Sequence, residues 1–269
     1  MSQTISEVQI PKDIIAQNFG KSVGNYHKHA EVQKEVAQRL IASLKPWRDI
    51  LPPGPLLEIG CGTGFVTEGL IELYPKREKI ITDLSPEMVS FCKNRFDSSQ
   101  NISFGELDAE KIQTVEPKYS LSVCGFAAQW FKDSALTLGR ILEATKPGGL
   151  MLASFPGNES FPEWKQCCRE LGIPYTGNEL PDTEEMVIKM SSGPVQVDYY
   201  EDTITQNFSS SVDFFRHLKK IGAGTHRDGR TLNAREMKML INHWDSKNKG
   251  DIIVSYHVVF LAVKRDHTS

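Results

Sequence analysis

The chain is poor in cysteine. Its 269 residues include five, with no Cys-x-x-Cys pair. Cys61, Cys92, Cys124, Cys167 and Cys168 are odd in number and irregular in spacing. That argues against a disulfide framework or a zinc site and for reduced thiols in a cytoplasmic protein. The adjacent pair Cys167-Cys168 reads as helix packing. Basic residues are not in excess either: 31 Lys and Arg stand against 34 Asp and Glu, a net charge of −3. This disfavours a general nucleic-acid binder and gives no attraction to anionic lipid. No apolar run approaches the roughly 18 residues of a membrane span. The start, MSQTISEVQIPK, lacks the basic-then-apolar pattern of a secretory signal. There are no repeats and no low-complexity segment. What remains is 39% hydrophobic and 24% charged, enough core for one large α/β domain or two small ones.

Residues 13–26 mix polar and aromatic positions. A helix is expected from Lys28 to Leu44, with Val36, Ala37, Leu40, Ile41 and Leu44 on one face. The segment PWRDILPPGP ends it, because each proline removes a backbone donor and restrains the residue before it. Residues 1–50 are therefore read as an N-terminal extension. Strands at 56–60, 79–84, 102–108, 119–126 and 150–155 then alternate with helices at 65–74, 85–96 and 134–145, with Ser85 as a helix cap and a turn at Lys146-Pro147-Gly148-Gly149. Such alternation predicts a parallel sheet covered on both faces. After residue 155 the rhythm changes. Helices are expected near 162–171 and 183–190, a strand at 195–208, two more helices within 209–247, and a last strand at 251–263. A glycine-rich basic loop, residues 223–230, joins the two late helices.

The string Leu57-Glu58-Ile59-Gly60-Cys61-Gly62-Thr63-Gly64 follows a buried strand and opens a helix. Glycines there permit a sharp turn and close approach of a ligand to bare main chain. The helix start offers unpaired N–H groups to an anion. The dinucleotide pattern G-x-G-x-x-G fails, because Phe65 stands where its third glycine belongs. There is also no P-loop lysine. A carboxylate, such as the amino-acid end of S-adenosylmethionine (SAM), suits this helix start as well as a pyrophosphate does. Asp83 ends the second strand, placed to accept from ribose hydroxyls. Asp108 ends the third, placed to accept from an adenine amino group. Either aspartate alone also fits a solvated strand end or a helix cap; three strand ends in series are harder to explain that way.

These residues resemble the class I SAM-dependent methyltransferases. The pattern is Glu58-x-Gly60-x-Gly62-x-Gly64, Asp83 with Ser85-Pro86-x-Met88, Asp108-Ala109, and Lys146-Pro147-Gly148-Gly149. The resemblance implies a three-layer, Rossmann-like α/β fold. Its seven-stranded sheet would be mostly parallel with an antiparallel final strand, and the helical insertions at 156–193 and 209–247 would form a lid together with residues 1–50. Residues 51–155 would be the SAM-binding core, and 156–269 the rest of the same domain. SAM would be held by Glu58, Gly60, Cys61, Gly62, Gly64, Asp83, Leu84, Met88, Asp108, Ala109, Cys124 and Gly125, leaving S-adenosylhomocysteine as product.

A narrower resemblance, to the malonyl-[acyl-carrier protein] O-methyltransferases of biotin synthesis, runs over nearly the whole chain. It rests on Phe19-Gly20-x5-Tyr26-x2-His29-Ala30, Ala128-Gln129-Trp130, Leu218-Lys219-Lys220-Ile221-Gly222-Ala223 and Tyr256-His257. The sequence departs from that pattern at Cys124-Gly125 and at Gly224. The resemblance implies methylation of the free carboxylate of a malonyl group carried on phosphopantetheine by acyl carrier protein (ACP), or on CoA. Phe19, Tyr26, His29, Gln129, Trp130, Lys219, Lys220 and Arg227 would serve the acceptor.

A carboxylate acceptor is already ionised near neutral pH, so no general base is needed. None is nominated, and no nucleophile–base constellation stands out. Tyr26 and Trp130 also fit plain core aromatics, and His29 a surface histidine. His27 and His29 lack the carboxylates or cysteines of a metal site, so no metal is expected. The basic run Arg216, Lys219, Lys220, Arg227 and Arg230 fits either a solvated helix face or a dock for an acidic carrier protein. Rival readings are a methyltransferase for a small free acid or quinone precursor, a non-catalytic SAM-binding regulator, and a nicotinamide-dependent oxidoreductase, which Phe65 disfavours.

Overall fold

The structure, a computed structural model, describes residues 12–96, 101–113, 116–224, 231–248 and 251–266. Seven strands form one sheet: β1 (Leu56–Ile59), β2 (Lys79–Asp83), β3 (Ile102–Glu106), β4 (Tyr119–Gly125), β5 (Thr145–Pro156), β6 (Val195–Phe208) and β7 (Ile252–Arg265). Their spatial order is β3-β2-β1-β4-β5-β7-β6. The first five pair in parallel. Only β7 runs against its neighbours, pairing antiparallel with both β5 and β6. The mostly parallel sheet with an antiparallel final strand is thus present.

The central strands β1, β4, β5 and β7 are buried on both faces because helices cover both faces, whereas the edge strand β6 is largely exposed. Successive side chains point to opposite sides. In β5, Leu150 and Leu152 enter one core while Met151, Ala153 and Phe155 enter the other. In β7, Val254, Tyr256, Val258 and Phe260 alternate with Val259, Leu261 and Val263 in the same way. The first core is closed by α2 (Glu31–Ala42), α3 (Phe65–Leu73), α6 (Pro162–Leu171), α8 (Ser211–Lys220) and α9 (Ala234–Asn248). The second is closed by α5 (Ser134–Ala144) and α7 (Thr183–Met190). Helix α4 (Pro86–Phe96) packs beside β2 and β3. Ser85 caps it as expected, its hydroxyl accepting from the Met88 N–H at 3.4 Å.

Two local expectations change. The single helix from Lys28 to Leu44 is instead the end of α1 (Lys12–His29) followed by α2, with a break at Ala30. The apolar spacing at 36–44 does mark a buried face: Val36, Ala37, Leu40 and Leu44 are all buried. What periodicity did not reveal is that α1 turns away from that core to lie on α4 and α8. Its own stripe, Ile15, Phe19, Ser22 and Tyr26, recurs at helical spacing and was hidden by polar neighbours. The turn at residues 146–149 is drawn into β5 as an irregularity: Tyr119 pairs with Thr145 but Leu121 with Leu150.

Candidate active site

The chain runs β1→β2→β3 towards one edge and returns to β4 on the other side of β1. Open α/β sheets bind ligands at such a reversal, beyond the carboxyl ends of the strands. A cleft of about 790 Å³, counting its open mouth, lies there. It takes Gly60 and Gly62 after β1, Asp83 and Leu84 after β2, Asp108 and Ala109 after β3, and Gly125 after β4.

The glycine loop passes where side chains do not fit. Gly60 and Gly62 have φ of +70° and +52°, the left-handed region that costs an L-residue strain. A Cβ on Gly60 would stand 2.7 Å from the Ala127 Cβ, and one on Gly62 would project towards the Tyr26 ring at 3.6 Å. Asp83 braces the loop: its Oδ2 accepts from the Gly62 N–H at 2.8 Å and its Oδ1 from the Ser85 N–H at 2.9 Å. Burial pushes the Asp83 carboxyl above its ordinary value, and these backbone donors oppose the shift only in part. Each oxygen retains acceptor capacity. The cradle of bare main chain beside a braced carboxylate therefore fits the ribose and methionine parts of SAM.

Asp108 caps a short 3-10 turn (Ala109–Lys111), accepting from the Glu110 N–H at 3.1 Å. Lys12 of α1 reaches across the cleft to it at 2.6 Å and to Glu110 at 3.0 Å. Burial raises the Asp108 carboxyl, but Lys12 and the Glu110 N–H outweigh it and hold the group low. Lys12 and Glu110 line the cleft and carried no motif in the sequence.

Helix α1 also brings aromatic side chains over the loop. Phe19 meets Trp130 edge-on at 5.1 Å between ring centres and Tyr26 at 6.1 Å. Tyr26 stacks on Phe65 at 6.3 Å. Burial first, and the nearby Asp83 charge second, push the Tyr26 hydroxyl above its ordinary range. Trp130 borders both this cleft and a second cavity of about 1460 Å³, again counting the mouth. The second cavity lies under α8 and α9 and is walled by Phe161, Trp164, Phe215, Leu218 and Tyr256.

The site residues expected from sequence divide accordingly. Gly60, Gly62, Asp83, Leu84, Met88, Asp108, Ala109, Gly125, Phe19, Tyr26 and Trp130 line the cleft. Gln129 and Lys219 line the second cavity instead, and the Gln129 Nε2 donates to the Phe126 carbonyl at 2.9 Å. Glu58, Cys61, Gly64, Cys124, His29 and Lys220 line neither. Glu58 is buried behind the loop, where it accepts from the Thr67 hydroxyl at 2.8 Å, and burial raises its carboxyl. Cys61 packs with Cys92, and Cys124 lies wholly in the core, where burial pushes its thiol up to about 12. His29, at the end of α1, borders neither space. Arg227 lies outside the described residues. Gly125, where the resembled pattern differs, abuts α3: a Cβ there would meet the Val66 side chain at 2.8 Å. Among the described residues no group of three or more His, Cys, Asp or Glu is placed to hold a metal ion. No described helix is long and apolar enough to cross a membrane.

This strand order, with a glycine loop after β1 and carboxylates after β2 and β3, defines a class I methyltransferase. Comparison with known proteins agrees. Residues 56–149 match the family described as a methyltransferase domain. A malonyl-[acyl-carrier protein] O-methyltransferase of Magnetococcus marinus is 32% identical, over 91% of this chain and 90% of its own. The biotin biosynthesis bifunctional protein BioCD of Bordetella avium is 29% identical over 88% of this chain and 50% of its own. Among solved structures, the YcgJ protein of Bacillus subtilis superposes with a TM-score of 0.60 at 14% identity, covering 86% of this chain and all of its own. The chain belongs to the malonyl-[acyl-carrier protein] O-methyltransferase family.

Proposed function

We propose that the chain transfers the methyl group of SAM to the free carboxylate of malonyl-ACP, giving the methyl ester as an early step of biotin synthesis. The observation that carries this is the shared wall at Trp130. A cleft suited to SAM and a separate large cavity meet there, so a donor and a carried acceptor can approach from opposite sides. SAM supplies an activated methyl group on a positive sulfur, and its transfer to a carboxylate consumes one charge of each sign. The chain's task is alignment and exclusion of water.

In this reading Gly60 and Gly62 offer bare main chain to the methionine end, while Glu58, Cys61, Gly64 and Cys124 support the loop and the strand ends from behind. Asp83 accepts from the ribose. Asp108, with Leu84, Met88 and Ala109, holds the adenine. Phe19, Tyr26 and Trp130 close over the reacting groups as a dry wall, carried by α1 as a lid. Gln129 and Lys219 face the acceptor. The exposed cations of α8, Arg216, Lys219 and Lys220, form a face to which an acidic carrier protein is drawn.

The test is labelled SAM with malonyl-ACP, malonyl-CoA and malonic acid in parallel. Formation of a base-labile methyl ester on the carrier protein is expected. Transfer to the free acid alone would replace this acceptor. Binding of SAM with no transfer to any of the three would make the chain a SAM-binding regulator.

A further inference from the structure

Among the described residues three that are not glycine have positive φ: Asn101 at +62°, Phe126 at +55° and Phe161 at +62°. Asparagine tolerates the left-handed region, but a bulky side chain is strained there. Both phenylalanines border the spaces that meet at Trp130: Phe126 lines the cleft and Phe161 the second cavity. Strained backbone persists only where its surroundings hold it, and it gathers where a reaction needs fixed geometry.

Phe126 is held through both of its backbone polar groups. It follows directly on β4, and its N–H donates to the Ser154 carbonyl of β5 at 2.8 Å and to the Ser154 hydroxyl at 3.2 Å. Its carbonyl accepts from the Gln129 side chain at 2.9 Å. Ser154 and Gln129 are both buried. The kink lays Gly125, Phe126 and Ala127 along the cleft and sets Ala127 against Gly60 of the glycine loop. It then leads into a single 3-10 turn, Ala128–Trp130, whose last residue is the wall between the two spaces. Gln129 closes that turn back on Phe126, so the position of Trp130 depends on the kink.

We infer that Phe126 is a positioning residue for methyl transfer: its left-handed backbone, clasped by Ser154 and Gln129, fixes Trp130 and the floor of the cleft against the glycine loop, keeping donor methyl and acceptor oxygen in line. The inference rests on the methyl-transfer reading above and gives Gln129 a task besides bordering the second cavity. It carries a consequence that a simple acceptor contact lacks. The clasp is needed because residue 126 resists the conformation in which it is held, and glycine adopts that conformation freely.

The experiment is a double-mutant cycle in the full chain, read by single-turnover transfer from SAM to malonyl-ACP. Gln129→Met removes the clasp at similar side-chain length. With phenylalanine at 126 the backbone then relaxes, and the rate should fall about 10- to 100-fold. In the Phe126→Gly background the same change should cost less than about threefold, because glycine keeps the turn on the Ser154 contacts alone. Ser154→Ala, which removes only the hydroxyl acceptor, should show the same dependence on residue 126 with smaller losses. It decides the question if circular dichroism shows that the Gln129 variant misfolds. The loss of rate in the clasp variants should exceed any loss of S-adenosylhomocysteine affinity in calorimetry. Equal costs of the clasp substitutions in both backgrounds would overturn the positioning role and leave methyl transfer standing, as would losses of affinity that match the losses of rate. No transfer by the unsubstituted chain to malonyl-ACP, malonyl-CoA or malonic acid, with S-adenosylhomocysteine still bound, would overturn both.

Discussion

Substituting Gly60 separates two costs that the glycine loop avoids. Gly60→Ala places a side chain on a residue at φ +70° and a Cβ 2.7 Å from the Ala127 Cβ. The left-handed conformation costs about 1–2 kcal/mol for an L-residue. Overpacking against Ala127 adds about 1–3 kcal/mol. The single variant should therefore lose about 2–5 kcal/mol of unfolding free energy, or, at about 2–4 °C per kcal/mol for a chain near this size, a large shift in melting temperature. Removing the Ala127 methyl relieves the collision and not the strain. In the Ala127→Gly background, Gly60→Ala should thus cost only about 1–2 kcal/mol. Urea unfolding of the four proteins of this double-mutant cycle gives the coupling directly. Calorimetry with S-adenosylhomocysteine follows the same loop as a binding site and should show weakened affinity in the single variant, partly restored in the double. A coupling of zero would refute the packing of the loop on Ala127. Unchanged affinity in the single variant would refute its role in holding the ligand.

Asp83→Asn removes a charged acceptor worth about 1.5–3 kcal/mol, so calorimetry should show S-adenosylhomocysteine binding weakened about 10- to 100-fold. Because burial raises the Asp83 carboxyl, its contribution to stability is present below the unfolded pKa near 3.8 and is lost as pH rises through the higher folded value; the Asn variant should flatten that part of the urea-derived stability profile. Lys12→Met should cost about 1 kcal/mol at neutral pH and expose α1 to limited proteolysis. The Asp108 carboxyl is held low, so that stabilisation is present above the unfolded pKa and is lost as pH falls through the folded one, and the variant and wild type should converge in acid. Trp130→Ala opens the wall between the two cavities; misplacement of the acceptor should lower turnover about 100-fold in a single-turnover assay, with Trp130→Phe retaining more.

Much of the candidate site is legible in the sequence. The loop at residues 60–64 announced itself because close approach to main chain demands glycine. Asp83 and Asp108 stand out because strand periodicity locates the ends of β2 and β3, and both line the cleft. What the sequence does not place depends on contacts between segments far apart in the chain. Lys12 meets Asp108 across 96 residues and lies in a segment with no motif. His29 and Tyr26 share one helix, yet only Tyr26 lines the cleft. Residue spacing shows which side chains share a helix face, but not which neighbour that face meets. Glu58 belongs to the glycine motif by position, but strand alternation turns its carboxyl inwards to Thr67.

The sequence by itself determined the alternation of strands and helices, the two-sided burial of the sheet and the chemistry available at its strand ends, because these follow from local periodicity and from residues whose backbone or charge admits few uses. Only the tertiary structure decided that α1 folds back over the glycine loop, that Trp130 joins two cavities, and that α8 and α9 roof the second. Those arrangements come from packing between elements, where a face of similar apolar character can meet any of several partners and the choice is made by the shape of the whole.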